Sequence, residues 1–185
     1  ATYVFTNGNP ITGAKMNSSF LFQFMGRGYL LGIPFPIIIM LVAYGVLFVL
    51  LHKTSFGRKT YALGGNETAA RIAGVRTKMV TMLIYTISGL MAAIAGIILT
   101  SRLSSAQPDA GTSYEMDAIA AVVLGGTSLA GGKGRIFGTL IGALIIGTLN
   151  NGMNLLGISS FYQQIVKGIV ILIAVLLDRR SSNNG

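Results

Sequence analysis

Residues 121 to 144, AVVLGGTSLAGGKGRIFGTLIGAL, set glycines, two hydroxyls, a lysine and an arginine in the middle of an apolar run. Glycines beside a lysine are the ingredients of a phosphate-binding loop, in which backbone N–H groups cradle the anion and the ammonium neutralises it. The spacing refuses that chemistry. Such a loop needs G-x-x-x-x-G-K-[ST], and with Gly132-Lys133 as anchor the first position falls on Thr127 and the last on Gly134. The dinucleotide pattern fails as well, because Phe137 stands where the third glycine belongs. What the spacing does fit is helix packing: Gly134, Gly138 and Gly142 recur every four residues and lay bare backbone along one helical face, where a second helix can come close. Metal and redox chemistry have little to work with, since cysteine is absent and His52 is the sole histidine.

The elements that must carry these residues follow from composition. Hydrophobic residues make up 52% of the 185, charged residues only 10%, and the mean hydropathy is +0.68. That balance belongs to lipid rather than water. A helix needs about 20 apolar residues to cross the hydrocarbon core. Ile33 to Leu51, Met79 to Ser101 and Ile158 to Leu177 meet that length, and Ile136 to Leu156 is a fourth with a polar tail. None alternates with period two, and a bilayer offers no water to free backbone groups, so the expected fold is all-α, a polytopic transmembrane helical bundle. The chain opens Ala1-Thr2-Tyr3 with neither a starting methionine nor a leader, which reads as a fragment of a longer protein, with residues 1–185 forming a single transmembrane domain.

Charge placement orients the bundle. Residues 52–78 carry Lys53, Arg58, Lys59, Arg71, Arg76 and Lys78 against Glu67, and Arg179-Arg180 follow the last span, so this loop and the C-terminus are expected to be cytoplasmic. The loop RLSSAQPDAGTSYEMD, with Asp109, Glu115 and Asp117 against Arg102, belongs outside, as does the stretch holding Asn7, Gly8, Asn9, Pro10 and Asn17. Bases that flank spans form no basic face with interleaved aromatics, which excludes nucleic acid as a partner. An odd number of crossings must separate Arg102 from Arg179. The third is therefore Met116 to Ala130, short for a span and bracketed at its end by Gly125-Gly126 and Gly131-Gly132, giving about five membrane segments with one short or broken. Broken helices at membrane depth need cover from protein or a water-filled path, which puts this break near a translocation route, although tight packing alone also accounts for its glycines.

Three further groups of residues have polar work to do. Asn66 can cap a short helix with Glu67 in its first turn, then Ala69, Ala70 and Arg71, ended by Gly74; it is either a small-faced docking helix or a solvated connector. Asn150, Asn151, Asn154, Gln163 and Gln164 are the hydrogen-bonding residues on the spans, available to a polyol on a translocation path or to interfacial loop chemistry. Lys167 inside the last span either snorkels outward or pairs with Asp117.

YALGGNETAARIAGV, residues 61–75, together with residues 102–157 from RLSSAQPDAG to GMNLLG, resembles the C-terminal half of the membrane permease of bacterial ABC sugar importers, the ribose-importing members in particular. The likeness runs from about Arg27 to Arg180. It implies a multi-pass permease of the bacterial inner membrane that pairs with a second copy, cytoplasmic ATP-binding subunits and a periplasmic sugar-binding protein, and that moves a monosaccharide, ribose foremost, through a membrane whose lipid surrounds it. The permease itself would be non-catalytic, and ATP and Mg would be bound by the partner ATPase. The helix after the cytoplasmic loop would be the coupling helix, with Asn66, Glu67, Ala69, Ala70, Arg71 and Gly74 in that stretch and Thr68 interrupting the family's Glu-Ala-Ala order. The rival from another class is an ion-coupled secondary transporter or channel domain, which needs an intramembrane acid; Asp117 is the one on offer.

Overall fold

The computed structural model describes Pro10 and residues 20–183, with side chains through Leu176. Asn7, Gly8, Asn9 and Asn17 lie outside the described residues, as do the side chains of Arg179 and Arg180. The described chain is helical apart from one small hairpin, and it divides into two compact units, Ala1–Leu50 with Lys78–Thr112 and Leu51–Thr77 with Ser113–Gly185.

In the first unit, α1 (Phe20–Arg27) leads into a hairpin of β1 (Tyr29–Leu30) and β2 (Ile33–Pro34), then into α2 (Phe35–Lys53); α5 (Thr77–Leu103) supplies the other long helix. The hairpin is a small departure from the all-helical expectation. Leu31 and Gly32 both take positive φ, 52° and 80°, the turn geometry that matches the twist of two paired strands. At 19 and 27 residues, α2 and α5 measure about 28 and 40 Å, enough to cross the hydrocarbon core. Their apolar windows bury nothing inside the chain itself, as befits helices whose solvent is lipid or other helices. α1 is tied to the end of α5: Arg27 Nε donates to the Arg102 carbonyl at 3.1 Å, and the Ser101 hydroxyl donates to the Phe22 carbonyl. The first supplies a donor to one of the carbonyls a helix end leaves unsatisfied.

The second unit contains α3 (Ser55–Gly65), α4 (Glu67–Ile72), α6 (Tyr114–Leu124), α7 (Ile136–Leu155) and α8 (Ser160–Asn183). Nothing in the residue pattern of 55–65 marks a helix, yet Thr54 caps α3 by accepting from the Phe56 N–H at 3.2 Å. The third crossing is shorter than the stretch Met116 to Ala130. Its helix, α6, stops at Leu124 after 11 residues, about 16 Å of rise, because Gly126 turns left-handed and Thr127 N–H reaches back to the Val122 carbonyl at 3.1 Å while Gly126 N–H bonds Val123. The same glycine-closed ending finishes α4 at Gly74 and α7 at Gly157.

Contacts fix the directions of the last three helices. Ala121 meets Gly142, Gly125 meets Gly138 and Asp117 meets Asn150, so α6 and α7 are antiparallel; Ser113 meets Gln164 and Asp117 meets Lys167, so α6 and α8 run the same way. Ala120, Ala121 and Ile146 form the core between them, with Val170 and Ile171 packed against it. A Cβ on Gly142 would overlap the Ala121 carbonyl oxygen, and one on Gly138 the Gly125 carbonyl oxygen. These helices therefore touch backbone to backbone, the small-residue packing that association in lipid favours. Gly134 is a correction to the four-residue stripe. Arg135 is extended and α7 begins at Ile136, so Gly134 sits in the preceding loop, where an added Cβ would stand 3.1 Å from the Thr127 side chain.

Candidate functional site: the helix break and the segment beneath it

Gly125 to Arg135 links α6 to α7 without helical structure, and part of its backbone is hydrogen-bonded within the loop. Ser128 N–H donates to the Lys133 carbonyl at 3.1 Å, Gly131 N–H to the Ser128 carbonyl at 3.2 Å, and Ala130 N–H to the Ser128 hydroxyl at 3.3 Å. The result is a closed loop with Gly131 and Gly132 at its tip, at φ of 91° and 73°. Non-helical backbone at membrane depth is tolerated only when its polar groups are met in this way or covered by protein.

Protein covers the tip. The C-terminal end of α3 lies against it: a Cβ on Gly64 would stand 2.8 Å from Gly132 N, one on Gly132 2.9 Å from Gly65 Cα, and one on Gly131 would overlap the Gly64 carbonyl oxygen. Tyr61 Oη donates to the Gly134 carbonyl at 3.2 Å. The break and the end of α3 consequently lie together at one end of α6, and α8, parallel to α6, runs toward that end.

Asn66 joins the two short helices. Its N–H donates to Ala62 O at 3.1 Å as the last bond of α3, and its Oδ1 accepts from Ala69 N at 2.9 Å as the cap of α4. Glu67 falls in the first turn and Arg71 in the last, each where the helix dipole favours its charge. At the other end Gly74, φ 81°, sends its N–H to Arg71 O while Val75 N–H reaches Ala70 O, both at 3.0 Å. Isolated helices of six residues do not hold in water. This one is held by a cap at each end and by Ala70, which is 4% exposed. Ala70 is thus the buried position of the expected docking helix. Glu67, Thr68, Ala69, Arg71 and Ile72 are exposed and make the outward surface of the helix.

At the other end of α6, Lys167 Nζ lies 2.7 Å from Asp117 Oδ1, with side chains 10% and 20% exposed. Asn150 Nδ2 donates to Asp117 Oδ2 at 3.0 Å, so one carboxylate ties three helices together. Sequence reasoning missed Asn150 as its second partner; the signal was there, since antiparallel helices joined by a short link bring the start of one beside the end of the other. The remaining amides bond to neighbours. Gln163 Nε2 donates to Asn154 Oδ1 and to the Ile158 carbonyl, both at 2.8 Å, and Gln164 makes a long 3.4 Å contact with the Ser113 hydroxyl. Asn151 is exposed.

Long lipid-length helices, a half-length helix ended by a glycine turn, and a capped exposed helix are the parts of an all-α polytopic membrane protein. The chain belongs to the family described as "Branched-chain amino acid transport system / permease component", which matches residues 3–175. It is 68% identical over 181 residues to the ribose import permease protein RbsC of Bacillus subtilis, covering 98% of this chain and 56% of that one. With the ribose import permease protein RbsC of Escherichia coli K12 the identity is 57% over 179 residues, covering 97% and 56%, and with the xylose transport system permease protein XylH of Haemophilus influenzae 48% over 158 residues, covering 83% and 42%. The chain thus spans little more than half the length of the ribose permeases it matches. No solved structure matches it.

Proposed function

We propose that these residues form part of the translocating subunit of an ATP-driven importer that moves a monosaccharide, ribose foremost, across the bacterial inner membrane. The observation that carries the proposal is the twice-capped helix α4. It holds Glu67, Ala69 and Arg71 outward on the side where the basic loop collects, and through α3 it adjoins the break between α6 and α7. An exposed, pre-formed helix of this kind suits capture by a groove on a cytoplasmic ATP-binding subunit, which would bind ATP and Mg itself. The choice of sugar leans on the ribose relatives at 68% and 57% identity, with the xylose relative at 48% marking the wider class.

The positive loop of residues 52–78 and the C-terminus then face the cytoplasm. A second copy of the permease completes the pathway, and a periplasmic sugar-binding protein delivers the substrate at the opposite face. Closure and opening of the ATPases would shift the bundle between outward-open and inward-open states. An ion-coupled mechanism is disfavoured by the pairing of Asp117, whose charge is already answered by Lys167. The test is uptake of labelled ribose into proteoliposomes holding the full-length permease, its ATPase and its binding protein. ATP-dependent uptake without any ion gradient is expected; uptake driven by a proton or sodium gradient in the absence of ATP overturns the proposal.

A further inference from the structure

We propose that Tyr61, Gly64 and Gly131 are positioning residues for transport: the backbone contact between the end of α3 and the tip of the 125–135 loop carries displacement of α4 into the short helix α6. The inference rests on the importer function proposed above and adds the route by which a docked ATPase moves the pathway.

Four features of the geometry support it. α4 and α3 share Asn66 as end and start cap, so the elbow between them has no free residue to absorb a movement of α4. Gly64 and Gly65 then meet Gly131 and Gly132 with no side chain between them. Side chains that intervene can change rotamer and soften a push, whereas backbone in van der Waals contact transmits it, as close-packed interiors do. The receiving loop is closed on itself by the Ser128–Lys133 bond and pinned from below by Tyr61 Oη on Gly134 O at 3.2 Å. Beyond it, Gly125 bears on Gly138 and Ala121 on Gly142, so α6 and α7 receive the displacement together.

Gly131 is the irreplaceable member of the contact. At φ 91° an L side chain is strained, and its Cβ would also overlap the Gly64 carbonyl oxygen. Tyr61 is the mild probe, since Tyr61→Phe deletes one hydroxyl from a half-buried ring and leaves both glycine pairs alone.

The experiment uses the full-length permease with its ATPase and binding protein in proteoliposomes and compares wild type, Gly131→Ala and Tyr61→Phe. It reads three quantities: ATPase retained on the purified permease, ATP hydrolysed, and sugar moved per ATP. Expected are wild-type retention of the ATPase in both variants and a fall in sugar per ATP, roughly fivefold for Tyr61→Phe, the weight of one hydrogen bond of about 1 kcal/mol, and larger for Gly131→Ala. A contact that only stabilises the fold would lower hydrolysis and transport in proportion, and an unchanged ratio in Tyr61→Phe with the complex intact overturns the route alone. Should Gly131→Ala fail to fold, the ratio in Tyr61→Phe decides for or against the route. Wild-type permease that retains no ATPase overturns the importer function, and the route with it.

Discussion

Asp117→Asn in the full-length permease is expected to be the most costly single change in the polar cluster of α6, α7 and α8. It leaves the Lys167 ammonium, 10% exposed, without its 2.7 Å counter-charge. Breaking a buried pair by removing one partner costs about 3–5 kcal/mol, because the survivor stays charged in a medium that does not solvate it. Lys167→Met is expected to cost less, about 2 kcal/mol, since Asp117 is the more exposed partner at 20% and keeps its 3.0 Å bond from Asn150. In Asp117→Asn with Lys167→Met no charge remains, and the amide retains a hydrogen-bonding neighbour in Asn150. The double variant should therefore fall short of the sum of the singles by about 3 kcal/mol. Reversible unfolding of the detergent-solubilised protein by added denaturing detergent, followed by circular dichroism, measures all three. Losses that add to within about 0.5 kcal/mol would refute the pairing as an energetic unit and leave Lys167 as a snorkelling side chain that lies near a carboxylate.

Other changes separate contact from exposure. Gly142→Ala should destabilise by about 1–3 kcal/mol by forcing α7 off the Ala121 carbonyl, whereas Gly147→Ala on the same helix, with nothing within 4 Å of its Cβ, should be neutral or gain up to about 1 kcal/mol; the same unfolding assay compares them. Asn66→Ala should lose about 1 kcal/mol and Asn66→Asp much less, because a carboxylate also caps a helix; protease nicking within residues 55–75 reports the difference. Glu67→Arg and Ala69→Arg, on the outward face, should weaken ATPase co-purification roughly tenfold, about 1.4 kcal/mol, with the permease still folded. Ala70→Arg, at a position 4% exposed, should instead reduce the yield of folded permease, and an intact permease that merely loses its ATPase would contradict that placement.

The break between α6 and α7 shows how legible this site was. Glycines at 125, 126, 131 and 132 announced an interruption because each can take positive φ or admit a close neighbour, and three of them do take it. Where α6 ends was less visible: the expected third crossing ran to Ala130, but the backbone closes at Gly126, so that stretch overran the helix by about a turn and a half. Asn66 and Gly74 were readable as start and stop signals since capping is local chemistry. α3 was not, because SFGRKTYALGG has neither a clean apolar stripe nor strong helix formers at its ends, and its glycines argue for a loop until tertiary contacts outweigh them.

What the sequence by itself determined is what depends on neighbours along the chain and on solvent. Lipid-length apolar runs had to be helices, and Asn and Gly marked where short helices begin and end. Only the tertiary structure decided which of these pieces act as one body. α2 and α5 flank the 52–78 loop in sequence, yet that loop packs in the unit of α6, α7 and α8, where Gly64 rests on Gly131 some 67 positions along the chain. It likewise turned Ala70 inward and gave Asp117 two partners where spacing suggested one. The physical reason is that glycine and alanine carry almost no side-chain code: they permit close approach without specifying to what, and the partner is chosen by the fit of whole helices.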